Sequence, residues 1–130
     1  MTNEFYLDFA KVKVLKCLMI VEINEGIHMS TTYHEELEEI ASLQFEGKPF
    51  VYITNRVNSY SVDPSIYKLT SKIPNLKGFA VVTKTLLAKK NAEIEKLFLN
   101  KPFEIFKDLD EAINWARNIL DNKLINNKNT

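Results

Sequence analysis

Residues able to do chemistry are sparse in this chain. His34 and Glu38 stand at i and i+4, the spacing of paired metal ligands on one helix face. That face offers no third ligand, so both read as solvated surface residues and no metal centre is expected. His28 has no sequence partner for a nucleophile–base dyad. No Gly-x-Ser-x-Gly elbow, phosphate-cradling loop or dinucleotide fingerprint occurs, and the three glycines, at 26, 47 and 78, lie too far apart to build one. The single cysteine, Cys17, sits in the apolar run Val14-Leu15-Lys16-Cys17-Leu18-Met19-Ile20-Val21 and is expected to be a buried, inert thiol. No catalytic residue and no cofactor is expected.

The stretch best suited to binding is Asn55-Arg56-Val57-Asn58-Ser59-Tyr60-Ser61-Val62-Asp63. It leaves an apolar strand and enters a helix. In open α/β sheets ligands favour that carboxyl edge, and helix N-termini favour anions. Arg56 carries a forked cation, Tyr60 an amphipathic ring, and Asn55, Ser59 and Ser61 adaptable hydrogen-bonding groups. Lys84 opens a lysine-rich segment continued by Lys89, Lys90 and Lys96, which could face an acidic partner or a phosphate. The candidate binding residues are therefore Asn55, Arg56, Ser59, Tyr60, Ser61 and Lys84. Glu35, Glu36, Glu38 and Glu39 read as the solvated side of a helix.

The elements that must position these residues follow from periodicity. Phe5, Leu7 and Phe9 alternate with Tyr6 and Asp8, a strand at period two. Residues 12–23 read as one longer buried strand, paired with the first as a hairpin. A first helix starts near Ser30-Thr31-Thr32, any of which could cap it, with Thr32 and Glu35 spaced as a capping box and Tyr33, Leu37, Ile40 and Ala41 inward. Strands follow at residues 49–54, 76–83 and 102–106. Asp63-Pro64 starts a second helix striped by Ile66, Leu69 and Ile73. A third helix over residues 86–99 is expected to turn Leu87, Ile94, Leu97 and Phe98 inward. Asp108 caps a fourth, with Ala112, Trp115, Ala116 and Ile119 facing the core. The order β-β-α-β-α-β-α-β-α predicts an α/β fold: a five-strand, mostly parallel sheet beginning with a β-hairpin, with four helices packed against it.

Composition agrees with one globular domain over residues 1–121, followed by a flexible tail at 122–130 rich in asparagine and lysine. The chain has 130 residues, 45% of them hydrophobic, enough to bury a core without disulfide staples. Lys+Arg and Asp+Glu number 17 each, which argues against nucleic-acid binding and leaves self-association into a homodimer open. The polar start Met1-Thr2-Asn3-Glu4 is unlike a signal peptide, and no apolar run is long enough to span a bilayer. A cytoplasmic location is expected.

Four segments carry a resemblance: Gly47-Lys48-Pro49-Phe50-Val51-Tyr52-Ile53, Leu76-Lys77-Gly78-Phe79-Ala80-Val81-Val82, Pro102-Phe103-Glu104-Ile105-Phe106 and Leu109-Asp110-Glu111-Ala112-Ile113-Asn114-Trp115-Ala116. With the element order, they resemble STAS domains, and more closely the SpoIIAA-like branch grouped with lipid-binding SEC14-type domains. The likeness runs from Phe5 to Leu120. Anti-sigma antagonists of that family are switched by phosphorylation of a serine in a motif resembling Asp-Ser-Ser-Gly. This chain has Ser59-Tyr60-Ser61-Val62-Asp63-Pro64-Ser65 there, which does not match, so no phosphosite is carried over. The resemblance implies a non-enzymatic regulatory or protein-binding module of the bacterial cytoplasm. Its competitor is a carrier for a small apolar or anionic ligand, or a lipid, with a pocket lined by Phe79, Leu87 and Phe98.

Overall fold

A computed structural model describes residues 2–128, with side chains for residues 2–121. In chain order the elements are β1 (Asn3–Tyr6), β2 (Ala10–Leu15), β3 (Leu18–Ile23), β4 (His28–Met29), α1 (Thr31–Phe45), β5 (Phe50–Asn55), β6 (Ser61–Val62), α2 (Ser65–Ser71), β7 (Leu76–Val82), α3 (Leu86–Glu95) with a 3-10 turn at Lys96–Phe98, β8 (Phe103–Phe106) and α4 (Leu109–Lys128). The tail expected at 122–130 begins inside α4, and its side chains lie outside the described residues.

The main sheet has six strands rather than five, in the order β1-β2-β3-β5-β7-β8; β4 and β6 form a separate two-stranded ribbon. The extra strand comes from residues 12–23, which make two strands and not one. The chain reverses at Lys16-Cys17, and Leu15 pairs with Leu18 across the turn. Cys17 takes a φ of 63°, left-handed backbone that a non-glycine residue adopts at a cost of roughly 1–2 kcal/mol. Nothing in Lys16-Cys17 announces a turn, because turn signals rest on Gly, Asn, Asp and Pro. The thiol consequently sits half-buried at a bend, not deep in a strand.

β1-β2 and β2-β3 pair antiparallel, as the hairpin expectation requires, and β3-β5, β5-β7 and β7-β8 pair parallel. Central β5 and β7 are covered on both faces, so their sequences are nearly continuous apolar runs. β3 shows the division most plainly. Leu18 and Ile20 point with Val51, Ile53, Ala80 and Val82 toward Ala112, Ala116 and Leu120 of α4. Met19, Val21 and Ile23 point the other way, with Phe50, toward Leu37, Ala41 and Phe45 of α1 and Ile66 of α2. Further along that face, Phe79, Val81 and Phe103 pack with Tyr67 and with Ala92 of α3. The fold is thus three layers, with α4 alone on one side and α1, α2 and α3 on the other.

Local chemistry sets the helix ends. Of the three residues able to cap α1, Ser30 does so by accepting from the Tyr33 N–H, and the Thr32–Glu35 box is not used. Asp63 Oδ1 accepts from both the N–H (3.0 Å) and the hydroxyl (2.9 Å) of Ser65, with Pro64 already in helical backbone. The glycine at 78 serves close approach: a Cβ there would lie 3.1 Å from the Trp115 ring and 3.3 Å from Ile119.

The third helix is oriented opposite to expectation. Leu87, Ile94, Leu97 and Phe98 face outward, and Leu86 joins them. The inward face holds Ala92, fully buried, followed by Leu99 beyond the 3-10 turn. Small residues let the helix lie close to the sheet, and the same rotation turns Glu95 inward.

Candidate functional site

The parallel strands β3, β5, β7 and β8 deliver their carboxyl ends to one edge of the sheet, and the loop after β5 starts there. The Arg56 N–H donates to the Val82 carbonyl at 2.8 Å, continuing the β5–β7 ladder one residue beyond β5. That bond holds Arg56 at the sheet edge, and its side chain, only 7% exposed, lies against the protein instead of reaching for solvent.

The counter-charge is Glu95, on the inner face of α3. Arg56 Nη1 donates to Glu95 Oε2 at 3.1 Å and Nη2 donates to Oε1, a bidentate pair. The guanidinium also lies 5.3 Å from the centre of the Tyr60 ring. The Tyr60 hydroxyl shares a 2.9 Å hydrogen bond with Thr54 Oγ1, and the Tyr67 phenol lies beside Glu95. Burial works against the Arg56 charge, but Tyr60 and Glu95 around it more than compensate, and the guanidinium is held above its usual range. Burial pushes the Tyr52, Tyr60 and Tyr67 phenols up, so all three stay neutral at physiological pH. The arrangement suits holding and orienting more than proton transfer, since its charges are matched and its phenols remain O–H groups.

Of the residues singled out from sequence, Arg56 and Tyr60 meet in this cluster, and both are more buried than interface residues on a free loop would be. The others go elsewhere. Asn55 Nδ2 donates to Glu22 Oε1 at 3.2 Å. Ser59 is exposed and its backbone N–H donates to Glu25 Oε2 at 2.7 Å. Ser61 Oγ lies 2.7 Å from His28 Nδ1 across the β4–β6 ribbon. The Asn55–Asp63 loop is therefore stitched to residues 22–29. Lys84 is exposed at a separate open groove of about 370 Å³, shared with Lys89, Lys107 and Glu111.

Glu95, Tyr67 and Thr54 escaped the sequence reading. Thr54 and Tyr67 sit within apolar patterns, and Glu95 could be read as inward only by placing Ala88 and Ala92 against the sheet. His34 is also corrected: its side chain is 8% exposed, not solvated. It packs inside because α1 turns His34, Leu37, Ala41 and Phe45 toward the core. Burial lowers its pKa, with Glu38 and Glu35 opposing. Behind the Arg56 cluster is a mostly apolar cavity of about 60 Å³, roofed by α1 and α2 and lined among others by Met19, Phe50, Tyr52 and Phe79. The pocket expected between Phe79, Leu87 and Phe98 does not form, because the two latter side chains point to solvent.

Among the described residues, no group of three or more His, Cys, Asp or Glu side chains could hold a metal ion, and no helix is long and apolar enough to cross a membrane. No family model and no curated protein matches the chain. Among solved structures it is similar to the 2.25 Å crystal structure of an uncharacterized DUF3478-family protein from Shewanella loihica PV-4, described as having a SpoIIAA-like fold. That likeness has 14% identity and a TM-score of 0.54, and it covers 89% of this chain and 92% of the other. The chain accordingly has the SpoIIAA-like α/β fold that its sequence segments resemble.

Proposed function

We propose that this chain is a non-enzymatic, STAS-like protein-binding module of the bacterial cytoplasm, acting in regulation and docking its partner through the outer face of α3 and its 3-10 turn. One observation carries the reading: Leu86, Leu87, Ile94, Leu97 and Phe98 stand exposed along one short segment, Leu97 to 81%. Clustered exposed apolar side chains of this size are a mark of interaction sites. The helix is not free to roll them inward, since Ala92 packs against the sheet and Glu95 is held by Arg56. Lys84, Lys89, Lys90 and Lys96 are exposed around the same face. The complementary partner is a protein that offers an apolar anchor with an acidic rim. The matched charges and neutral phenols at the sheet edge support binding over acid–base chemistry.

The test compares wild type with Leu87→Asp/Leu97→Asp. Proteins retained from extract of the native host are identified, purified and titrated against both forms. An acidic partner that binds wild type and loses affinity at least tenfold for the folded variant supports the reading. Equal binding to both forms overturns it. So does loss in the variant of binding to anionic vesicles with no protein partner, which would make the face a membrane contact.

A further inference from the structure

Among the described residues, the buried side-chain nitrogen and oxygen atoms without a hydrogen-bond partner are His34 Nε2 and Arg56 Nε, and both side chains line the 60 Å³ cavity. Buried polar groups in native proteins are nearly always paired, because an unpaired one keeps the full cost of its lost hydration. Both side chains are more than nine-tenths buried. Glu38 Oε2 lies 3.4 Å from His34 Nε2 but without hydrogen-bond geometry, and it is half-exposed. Arg56 gives one N–H of Nη1 and one of Nη2 to Glu95, and its Nε–H has no partner. Two orphaned nitrogens on the wall of one mostly apolar cavity, which Glu38, Thr54 and Thr70 also line, point to an occupant that brings polar atoms to them.

The surroundings narrow its chemistry. The Arg56 charge is already matched by Glu95, and burial favours neutral His34. An anionic guest would give up its hydration and meet no unmatched cation. The fixed donor on Arg56 calls for an oxygen acceptor, and Met19, Leu37, Phe50 and Ile66 call for an apolar body. The space is small, about 60 Å³, and suits a guest of only a few non-hydrogen atoms. We infer that this cavity is a binding site for a small, uncharged, mainly aliphatic molecule carrying one carbonyl or hydroxyl oxygen, held by Arg56 Nε–H with His34 Nε2 on the same wall. This site is separate from the outer face of α3 and stands or falls independently of it.

The probe is 2-butanone, with butyrate as the charged control of similar length, followed by nitrogen-15 NMR of the full chain. The Arg56 Nε–H resonance reports directly and needs no variant. The expected result is a saturable shift of that resonance with 2-butanone, and at least tenfold weaker binding of butyrate. Ala41→Leu, which fills the cavity from α1, should abolish the shift; if that variant does not fold, the wild-type pair of titrations still decides. Butyrate binding as tightly as 2-butanone would overturn the uncharged class. An Arg56 Nε–H that exchanges magnetisation only with water, and does not respond to 2-butanone, would show that water fills the cavity and would overturn the site.

Discussion

Arg56 and Glu95 are 39 residues apart in sequence, yet the guanidinium of one and the carboxylate of the other form a bidentate pair between the sheet edge and α3. Arg56 is placed by the β5–β7 ladder, and Glu95 by the packing of the small inner face of α3. The pair fixes the rotation of α3, and so decides which of its faces meets solvent.

Breaking that pair should be costly. Glu95→Ala leaves a buried guanidinium unmatched, and a loss of about 3–5 kcal/mol of stability is expected in urea melts. The double variant Arg56→Met/Glu95→Leu removes both charges and should recover much of that loss. A Glu95→Ala loss under about 1 kcal/mol would show that water reaches the pair and that it does not hold the helix.

The outer face of α3 should separate binding from stability. Leu87→Asp and Leu97→Asp alter exposed positions, and each should change stability by no more than about 0.5 kcal/mol. Each should weaken partner binding by about 1–3 kcal/mol. Ala92→Asp, on the inner face, should unfold the chain. If Leu97→Asp melts early instead, the 3-10 turn packs inward in solution.

Trp115 lies over Gly78 and 5.7 Å from the Phe106 ring. Trp115→Ala should cost about 3 kcal/mol, the low end for a large aromatic because the ring is partly exposed. Gly78→Ala places a methyl into the 3.1 Å gap, and a loss of about 1–3 kcal/mol is expected. Combining it with Trp115→Phe should recover part of that loss, which a thermal-melt series would show.

His34 imposes a pH dependence. Its folded pKa lies below the ordinary 6.5, so the unfolded chain binds its proton more readily. Stability from this group is full above pH 6.5 and declines as pH falls from there toward the lower folded pKa, below which the loss levels off. His34→Gln should flatten that part of the stability curve. The Asp63 carboxyl, held low by the N–H and hydroxyl of Ser65, loses its contribution as pH falls below 3.8. An unchanged slope between wild type and His34→Gln would show that His34 is hydrated in the folded state.

The sequence by itself determined the layered α/β plan, because period-two strands and capped helices are local signals. Val12 and Val14 against Lys11 and Lys13, Ser30 before α1, Asp63 before α2 and Asp108 before α4 each act within a few residues of where they stand. The apolar character of β5 and β7 likewise told of two covered faces. The turn at Cys17 was not legible, since the pairing of β2 with β3 imposes left-handed backbone on a residue that does not favour it. Nor was the rotation of α3: the wide apolar stripe of Leu87, Ile94 and Phe98 outweighs Ala88 and Ala92 in any count of hydrophobicity, but close packing rewards fit, and a buried carboxylate follows its cation. Arg56 and Tyr60 could be named from their types, whereas Glu95, Tyr67, Thr54 and His34 could not. What gathers them is the meeting of β5, α1, α2 and α3 at one edge and one face of the sheet, and contacts between such distant segments exist only once the chain has folded.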